Sequence, residues 1–329
     1  MRAHGILVAG LGAAALLLAI ISVAVGYAPL DIAGALSDWL HGADTLARVV
    51  LVELRLPRAI LGLTVGFSLG ITGAAMQGLL RNPLADPGVV GVSAGAAFGA
   101  VLAFYTGVSH AFALALPLGG IAGAAVATGL VFWIGGKGAS TTALILAGVA
   151  LSSLAGALTA LALNLSPNPY AALEIIFWLM GSLNDRSLHH VYLAVPLMAL
   201  GWILIVRSAS ALDALALGED TARSLGFDIG RLRTQLILGA ALSVGSAVAV
   251  TGAIGFVGLI VPHLLRPLVG HSAGRLLIVS GLGGAVLTLA ADIGIRLLPI
   301  QPELKLGVVT ALIGAPFLFS LLWRFRREA

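Results

Sequence analysis

The sequence predicts an all-α polytopic membrane protein of about ten transmembrane helices per subunit, with both termini cytoplasmic and short cytoplasmic helices between the sixth and seventh spans. Three observations predict it. Hydrophobic residues make up 59% of the 329 positions and charged residues 10%, against roughly a quarter charged in soluble domains. Apolar runs of spanning length recur along the chain, so that the mean hydropathy reaches +1.07. Glycine occurs 43 times, often four apart, the stripe of small residues through which membrane helices approach closely. Residues 1–329 read as a single transmembrane domain.

Arg2 and His4 precede the apolar run Gly5–Tyr27, which is too long for the core of a signal peptide and is assigned as the first span. Pro29–Glu53 reads as a polar loop with an amphipathic piece around Trp39. After Arg55-Leu56-Pro57-Arg58, a second span from about Arg58 to Leu80 carries the stripe Gly62, Gly66, Gly70, with Gln77 at its far end. Two prolines in Arg81–Pro87 stop it. The third span is Val89–Tyr105, with Gly91, Gly95 and Gly99, the fourth Phe112–Ile134 and the fifth Thr141–Leu163.

Asn164–Tyr170 is a turn, and the apolar segment Ala171–Leu183, about 13 residues, suits a half-helix or re-entrant piece better than a full span. The sixth span is Val191–Val206 and the seventh Leu232–Val250. Gly252, Gly255 and Gly258 make the eighth short and kinked. Leu276–Leu298 and Leu306–Phe325 complete the set. With the termini inside, twelve of the Lys and Arg residues fall on the inner side and six on the outer, as the positive-inside rule requires.

The largest polar island lies between the sixth and seventh spans, about residues 207–231. Four acids (Asp213, Glu219, Asp220, Asp228) alternate with Arg207, Arg223, Arg231 and Arg233 just beyond it. Leucines at helical spacing on either side of Gly218 predict two short helices joined at that glycine, outside the bilayer and shaped to fit another protein.

Several chemistries are excluded. The absence of cysteine removes disulfides, thiolate metal sites and cysteine nucleophiles. The pI near 10.0 reflects arginines flanking the spans, and no aromatic-and-basic stripe points to nucleic acid. Gly135-Gly136-Lys137-Gly138 fails the phosphate-loop pattern, because Gly138 stands where Ser or Thr is needed and no glycine sits five positions before Gly136. No HExxH, GxSxG or paired acids suggest an enzyme. An ion-coupled secondary transporter needs ionisable groups within the membrane, and only Asp292 falls inside a span.

Four blocks of sequence then carry a resemblance: Arg55–Arg58 (RLPR), Gly73–Ala96, Leu215–Gly226 (LALGEDTARSLG) and Gly252–Arg266 (GAIGFVGLIVPHLLR). A fifth, Glu303–Leu322, departs at Lys305, where proline is usual. Together they resemble the FecCD-type permease subunit of the iron-chelate and cobalamin ABC importers, in order and over nearly the whole chain. The resemblance implies a homodimer in the inner (cytoplasmic) membrane. Two separate ATPase subunits would carry ATP and Mg, and a periplasmic binding protein would dock outside. No metal or cofactor is expected on this chain itself.

Residue by residue, the resemblance implies that Arg55, Arg58 and Arg296 receive carboxylates of the binding protein. Local pairing is the alternative, Arg55 with Glu53 and Arg296 with Asp292 at i,i+4. Asn82, Leu84, Ser140, Thr141 and Thr142 are the expected cytoplasmic gate, though Ser140 or Thr141 equally suits an N-cap. Leu212, Leu215, Gly218, Glu219, Ala222, Arg223, Leu225 and Gly226 are the expected ATPase-coupling residues. His263 near Pro262 reads as structural, and His189 with His190 is the one pair that could ligate a haem iron. The pathway is expected on the dimer axis, lined by the fifth span and the Ala171–Leu183 segment. The cargo is expected to be an iron chelate, a ferric siderophore or haem, with cobalamin as the alternative.

Overall fold

The computed structural model describes residues 2–26, 29–108, 112, 114–136, 140–166, 169–300 and 302–328, and these contain helices and connections but no strand. Lys137 and Gly138 of the rejected phosphate loop lie outside the described residues.

The helices are α1 (Arg2–Ala24), α2 (Ile32–His41), α3 (Leu46–Leu80), α4 (Val92–Tyr105), α5 (Ala115–Gly135), α6 (Thr141–Asn164) and α7 (Pro169–Leu179). There follow α8 (Leu188–Arg207), α9 (Ala209–Leu215), α10 (Glu219–Ser224), α11 (Ile229–Thr251), α12 (Val257–Leu265), α13 (Ala273–Leu297) and α14 (Leu306–Glu328). Among the described residues seven helices, α1, α3, α5, α6, α8, α11 and α13, are long and apolar enough to cross a membrane. The expected third, eighth and tenth spans are shorter apolar helices, as is α7, which at 11 residues falls well short of the roughly 20 needed to cross.

Helix α3 is the centre of the molecule, with 83% of its spanning window buried. It packs chiefly against α13, and the glycine stripe is the reason. A Cβ on Gly66 would strike the carbonyl oxygen of Gly284 and come within 2.8 Å of the Ala285 Cα; on Gly70 it would strike the carbonyl of Ser280. The same device joins α4 to α5, where Gly95 and Gly99 face Gly119 and Gly123. Helix α12 fills the angle between α3 and α13, while α8 and α11 cover another side of α3. Helix α1 is peripheral, only 11% of its window being buried.

Two expectations are corrected. The polar loop Pro29–Glu53 contains α2, and α3 begins at Leu46 rather than Arg58. Pro57 lacks an N–H, which normally ends a helix. Here residues Val50–Arg55 are π-helical and the Leu56 N–H donates to the Leu51 carbonyl, five residues back, so the wide turn absorbs the proline. The second correction concerns the eighth span. Instead of kinking, the chain leaves helical geometry at Gly252 and resumes at Val257. The open stretch is held by the Ser182 N–H, which donates to the Thr251 carbonyl at 2.7 Å.

Lys305 fits without strain. Its carbonyl accepts from the N–H groups of Val308 and Val309 at the start of α14, and its Nζ lies 5.7 Å from the Phe177 ring centroid.

Candidate functional site

The polar island folds as two short helices, α9 and α10, joined at Gly218 as the leucine spacing predicts. Gly218 adopts φ 113° and Gly226 φ 87°, backbone conformations open to glycine and costly for other residues. The leucines of α9 point inward. Leu212 and Leu215 are fully buried, as is Ala222 of α10, so these three anchor the unit and cannot touch a partner. Asp213 adds a polar anchor, accepting from Ser272 Oγ at 3.0 Å and from the Gly274 N–H at 2.9 Å at the start of α13.

The outward face is different from the one the spacing suggests. Leu217 is 69% and Leu225 60% exposed, and Asp220 and Arg223 lie beside them at the surface. Leu217 and Asp220 are additions to the expected set. The one-residue offset at Gly218 rotates α10 against α9, and this phase change is invisible until the glycine's dihedral is known. Glu219 turns partly inward. It pairs with Arg223 at 3.3 Å and with Arg233 of α11 at 2.7 Å.

The expected gate residues sit at the same end of the bundle. Arg81 at φ 46° ends α3, and Asn82 Oδ1 accepts from the Leu84 N–H at 2.9 Å, closing an Asx turn. In the same connection Asp86 Oδ1 accepts from the Gly88 N–H at 2.8 Å; burial pushes its carboxyl above the ordinary range, partly offset by that bond. This loop rests on the middle of α6, where a Cβ on Gly91 would come within 2.9 Å of the Gly148 carbonyl oxygen. Ser140 caps α6, its Oγ accepting from the Ala143 N–H at 3.1 Å. Thr141 Oγ1 accepts from Arg233 Nε at 2.9 Å, and Thr142 is exposed. Ser140→Ala is expected to cost about 1 kcal/mol and to speed amide exchange in the first turn of α6, read by hydrogen–deuterium exchange. Unchanged protection there would remove the capping role. Gln77 and Arg266 lock the inner ends of α3 and α12: Arg266 Nη2 donates to Gln77 Oε1 at 2.7 Å, while Gln77 Nε2 donates to the Leu259 carbonyl at 3.2 Å.

The opposite end holds a buried charge cluster. Arg58 donates to Asp292 (Nη2–Oδ1 2.8 Å, Nε–Oδ1 3.0 Å), to Asn184 at 3.3 Å and to Glu303. Arg296 donates to Asp292 Oδ2 at 2.8 Å, to the carbonyls of Ser22 and Val25 at 2.7 Å each, and to Ser22 Oγ at 2.6 Å. Arg55 donates to the carbonyls of Ala24 at 2.8 Å and Val23 at 3.1 Å. Arg55 and Arg296 therefore cap the C-terminus of α1, where cations suit the helix dipole. The three arginines are 6%, 9% and 6% exposed in chain order. The expectation that they present open guanidinium forks to a binding protein is revised, because each is buried and engaged within the chain. The anticipated Asp292–Arg296 pair is present; the Arg55–Glu53 pair is replaced by the carbonyls of α1. Glu303 is the member that sequence spacing could not supply, since 245 residues separate it from Arg58.

His190 is committed to a capping box, its Nδ1 accepting from the Ser187 N–H at 3.2 Å, which leaves the His189–His190 pair poorly placed as joint iron ligands. His263 stacks edge-on to Phe317 at 5.7 Å, as a structural residue would.

Comparison with known proteins agrees along the whole chain. The model of the FecCD transport family matches residues 14–324. The chain is similar to the cobalamin import system permease protein BtuC of Halobacterium salinarum, with 40% identity over 85% of this chain and 75% of that one. It is also similar to the Fe(3+) dicitrate transport system permease protein FecD of Escherichia coli, with 38% identity over 94% of this chain and 95% of that one. Among solved structures, an inward-facing ABC transporter described as of metal-chelate type superposes with a TM-score of 0.83 at 33% identity, covering 97% of this chain and 99% of that one.

Proposed function

The chain belongs to the FecCD transport family of multi-pass inner-membrane permeases, and on that footing we propose that two copies of it form the pathway of an ATP-driven importer for a bulky metal chelate. ATP and Mg belong to two separate ATPase subunits at the α9–α10 end, and a periplasmic binding protein delivers the cargo at the opposite end. The Lys and Arg distribution supports placing both termini and α9–α10 in the cytoplasm.

The observation that carries the reading is the outward face of α10. A surface helix whose underside is fully buried, and whose upper side offers Leu217 and Leu225 flanked by Asp220 and Arg223, suits the groove of a soluble partner. The exposed faces of α6 and α14, with Leu146, Val149 and Leu154 on one and Leu312, Ile313 and Phe319 on the other, suit a second copy and the pathway between copies. Asn82, Leu84 and Ser140–Thr142 close that pathway where the copies meet. Arg55, Arg58 and Arg296 serve the binding protein indirectly, by making the outer end rigid.

The cargo we favour is an iron chelate, a ferric siderophore or haem, in keeping with the similarity to the dicitrate permease across nearly the full length. Cobalamin is the second reading, favoured by the similarity to the Halobacterium permease. A secondary transporter fits less well, since the carboxylate of Asp292 is already held by two arginines.

The test is co-purification with the ATPase encoded alongside this chain. The triple variant Leu217→Ala, Arg223→Ala, Leu225→Ala is expected to stay folded and monodisperse yet lose the ATPase. Leu215→Ala removes a buried anchor and is expected to lower the melting temperature instead. A triple variant that retains a full complement of ATPase would sink the proposed contact face. Uptake of labelled ferric chelates against labelled cobalamin then decides the cargo.

A further inference from the structure

We propose that Arg233 is the positioning residue through which movement of α10 reaches the first turn of α6; this rests on the importer reading above. Arg233 lies in the second turn of α11 and is 8% exposed. Its guanidinium bridges two elements that are far apart in the chain. Nη2 donates to Glu219 Oε1 at 2.7 Å and Nε donates to Thr141 Oγ1 at 2.9 Å. Glu219 is the first residue of the helix assigned to meet the ATPase, and Thr141 the first residue of a helix assigned to line the pathway. Helix α10 itself packs on α9 and on α11. The guanidinium therefore gives it a polar link to α6.

The electrostatics make the link two-state. A cation beside the first turn of a helix opposes the helix dipole, and the Glu219 carboxylate compensates it here. If α10 is drawn away with Glu219, Arg233 is left as a poorly hydrated charge at the positive end of α6. It must then follow Glu219 and release Thr141, or stay and carry an unpaired charge. Either way the arrangement at Thr141 depends on the position of α10, which is what coupling between two sites requires. The planar fork matters as much as the charge. Lysine offers one point of attachment and cannot hold both partners in fixed directions.

The chain contains no cysteine, so a single introduced thiol reports on α6 without background. Thr142→Cys sits at an exposed position one residue beyond the link. In the complete complex with the ATPase, its maleimide labelling rate is measured without nucleotide and with ATP plus vanadate. The Thr142→Cys complex is expected to show a nucleotide-dependent change. Adding Arg233→Gln or Arg233→Lys is expected to reduce that change about tenfold, while the complex still assembles and hydrolyses ATP. The charge exchange Glu219→Arg with Arg233→Glu is expected to restore part of it, because the Thr141 hydroxyl can donate to a carboxylate as readily as it accepts from a guanidinium. The proposal is overturned by a nucleotide-dependent change that survives Arg233→Gln, or by no change in the parent complex. It is also overturned if assembly and hydrolysis fall together in both single variants and the exchange restores nothing, the mark of a purely structural residue. A parent chain that never binds the ATPase overturns the importer reading instead, and is recognised before any labelling begins.

Discussion

Asp292→Ala is expected to destabilise the protein by about 3–5 kcal/mol, the cost of stripping one partner from a buried ion network. Asp292 is 1% exposed and both of its oxygens are in use, Oδ1 by Arg58 and Oδ2 by Arg296. Without it Arg58 retains Glu303, whereas Arg296 retains only carbonyls and the Ser22 hydroxyl, none of which carries a compensating charge. The measurement is thermal unfolding in detergent, with the double variant Asp292→Ala, Arg296→Met completing a cycle. The double variant should melt above Asp292→Ala alone, since the stranded charge is gone. An Asp292→Ala protein that melts with the wild type would show that water or a rearranged neighbour compensates the arginines.

Gly70→Ala is the second large effect. The added methyl would collide with the Ser280 carbonyl oxygen and lie 2.8 Å from its carbon and 3.3 Å from the Gly281 Cα. These are backbone atoms and cannot rotate away, so α3 and α13 must part. Overpacking of this kind costs about 1–3 kcal/mol for a single methyl, and Gly70→Val should exceed it. The control is Gly129→Ala on α5, where a Cβ meets nothing within 4 Å. There the substitution should gain roughly 0.5–1 kcal/mol through helix preference. Equal melting temperatures for Gly70→Ala and Gly129→Ala would mean that the α3–α13 contact is looser than its geometry implies.

Much of this architecture was legible because membrane helices write their packing in small residues. The stripe Gly62, Gly66, Gly70 is read directly from its four-residue spacing, and the Asp292–Arg296 pair from its i,i+4 spacing. The two short helices on either side of Gly218 follow from leucine periodicity. What spacing cannot supply is phase across an irregular backbone. The π-helical turn Val50–Arg55 moves the start of α3 to Leu46, and the Gly218 dihedral turns Leu217 and Asp220 outward. Burial of charge was equally hidden. Arginines near a predicted span end read as solvent-facing, yet Arg58 is enclosed by Glu303 and Asp292, residues more than two hundred positions away. The Thr141–Arg233 bond spans 92 positions and has no local signature at all.

The thin attachment of α1 has a consequence for the order in which the molecule is made. The helix is apolar enough to enter a bilayer as soon as it emerges, and little of it is covered by the rest of the protein. Its C-terminal carbonyls are claimed by Arg55, which arrives soon afterwards, and by Arg296, which lies 274 residues from Ser22. During translation α1 is thus held first by one short tether and otherwise rests among lipids while the bundle grows. Only when α13 enters beside it does the second clasp close, so the first helix to be inserted is among the last to be fixed in place.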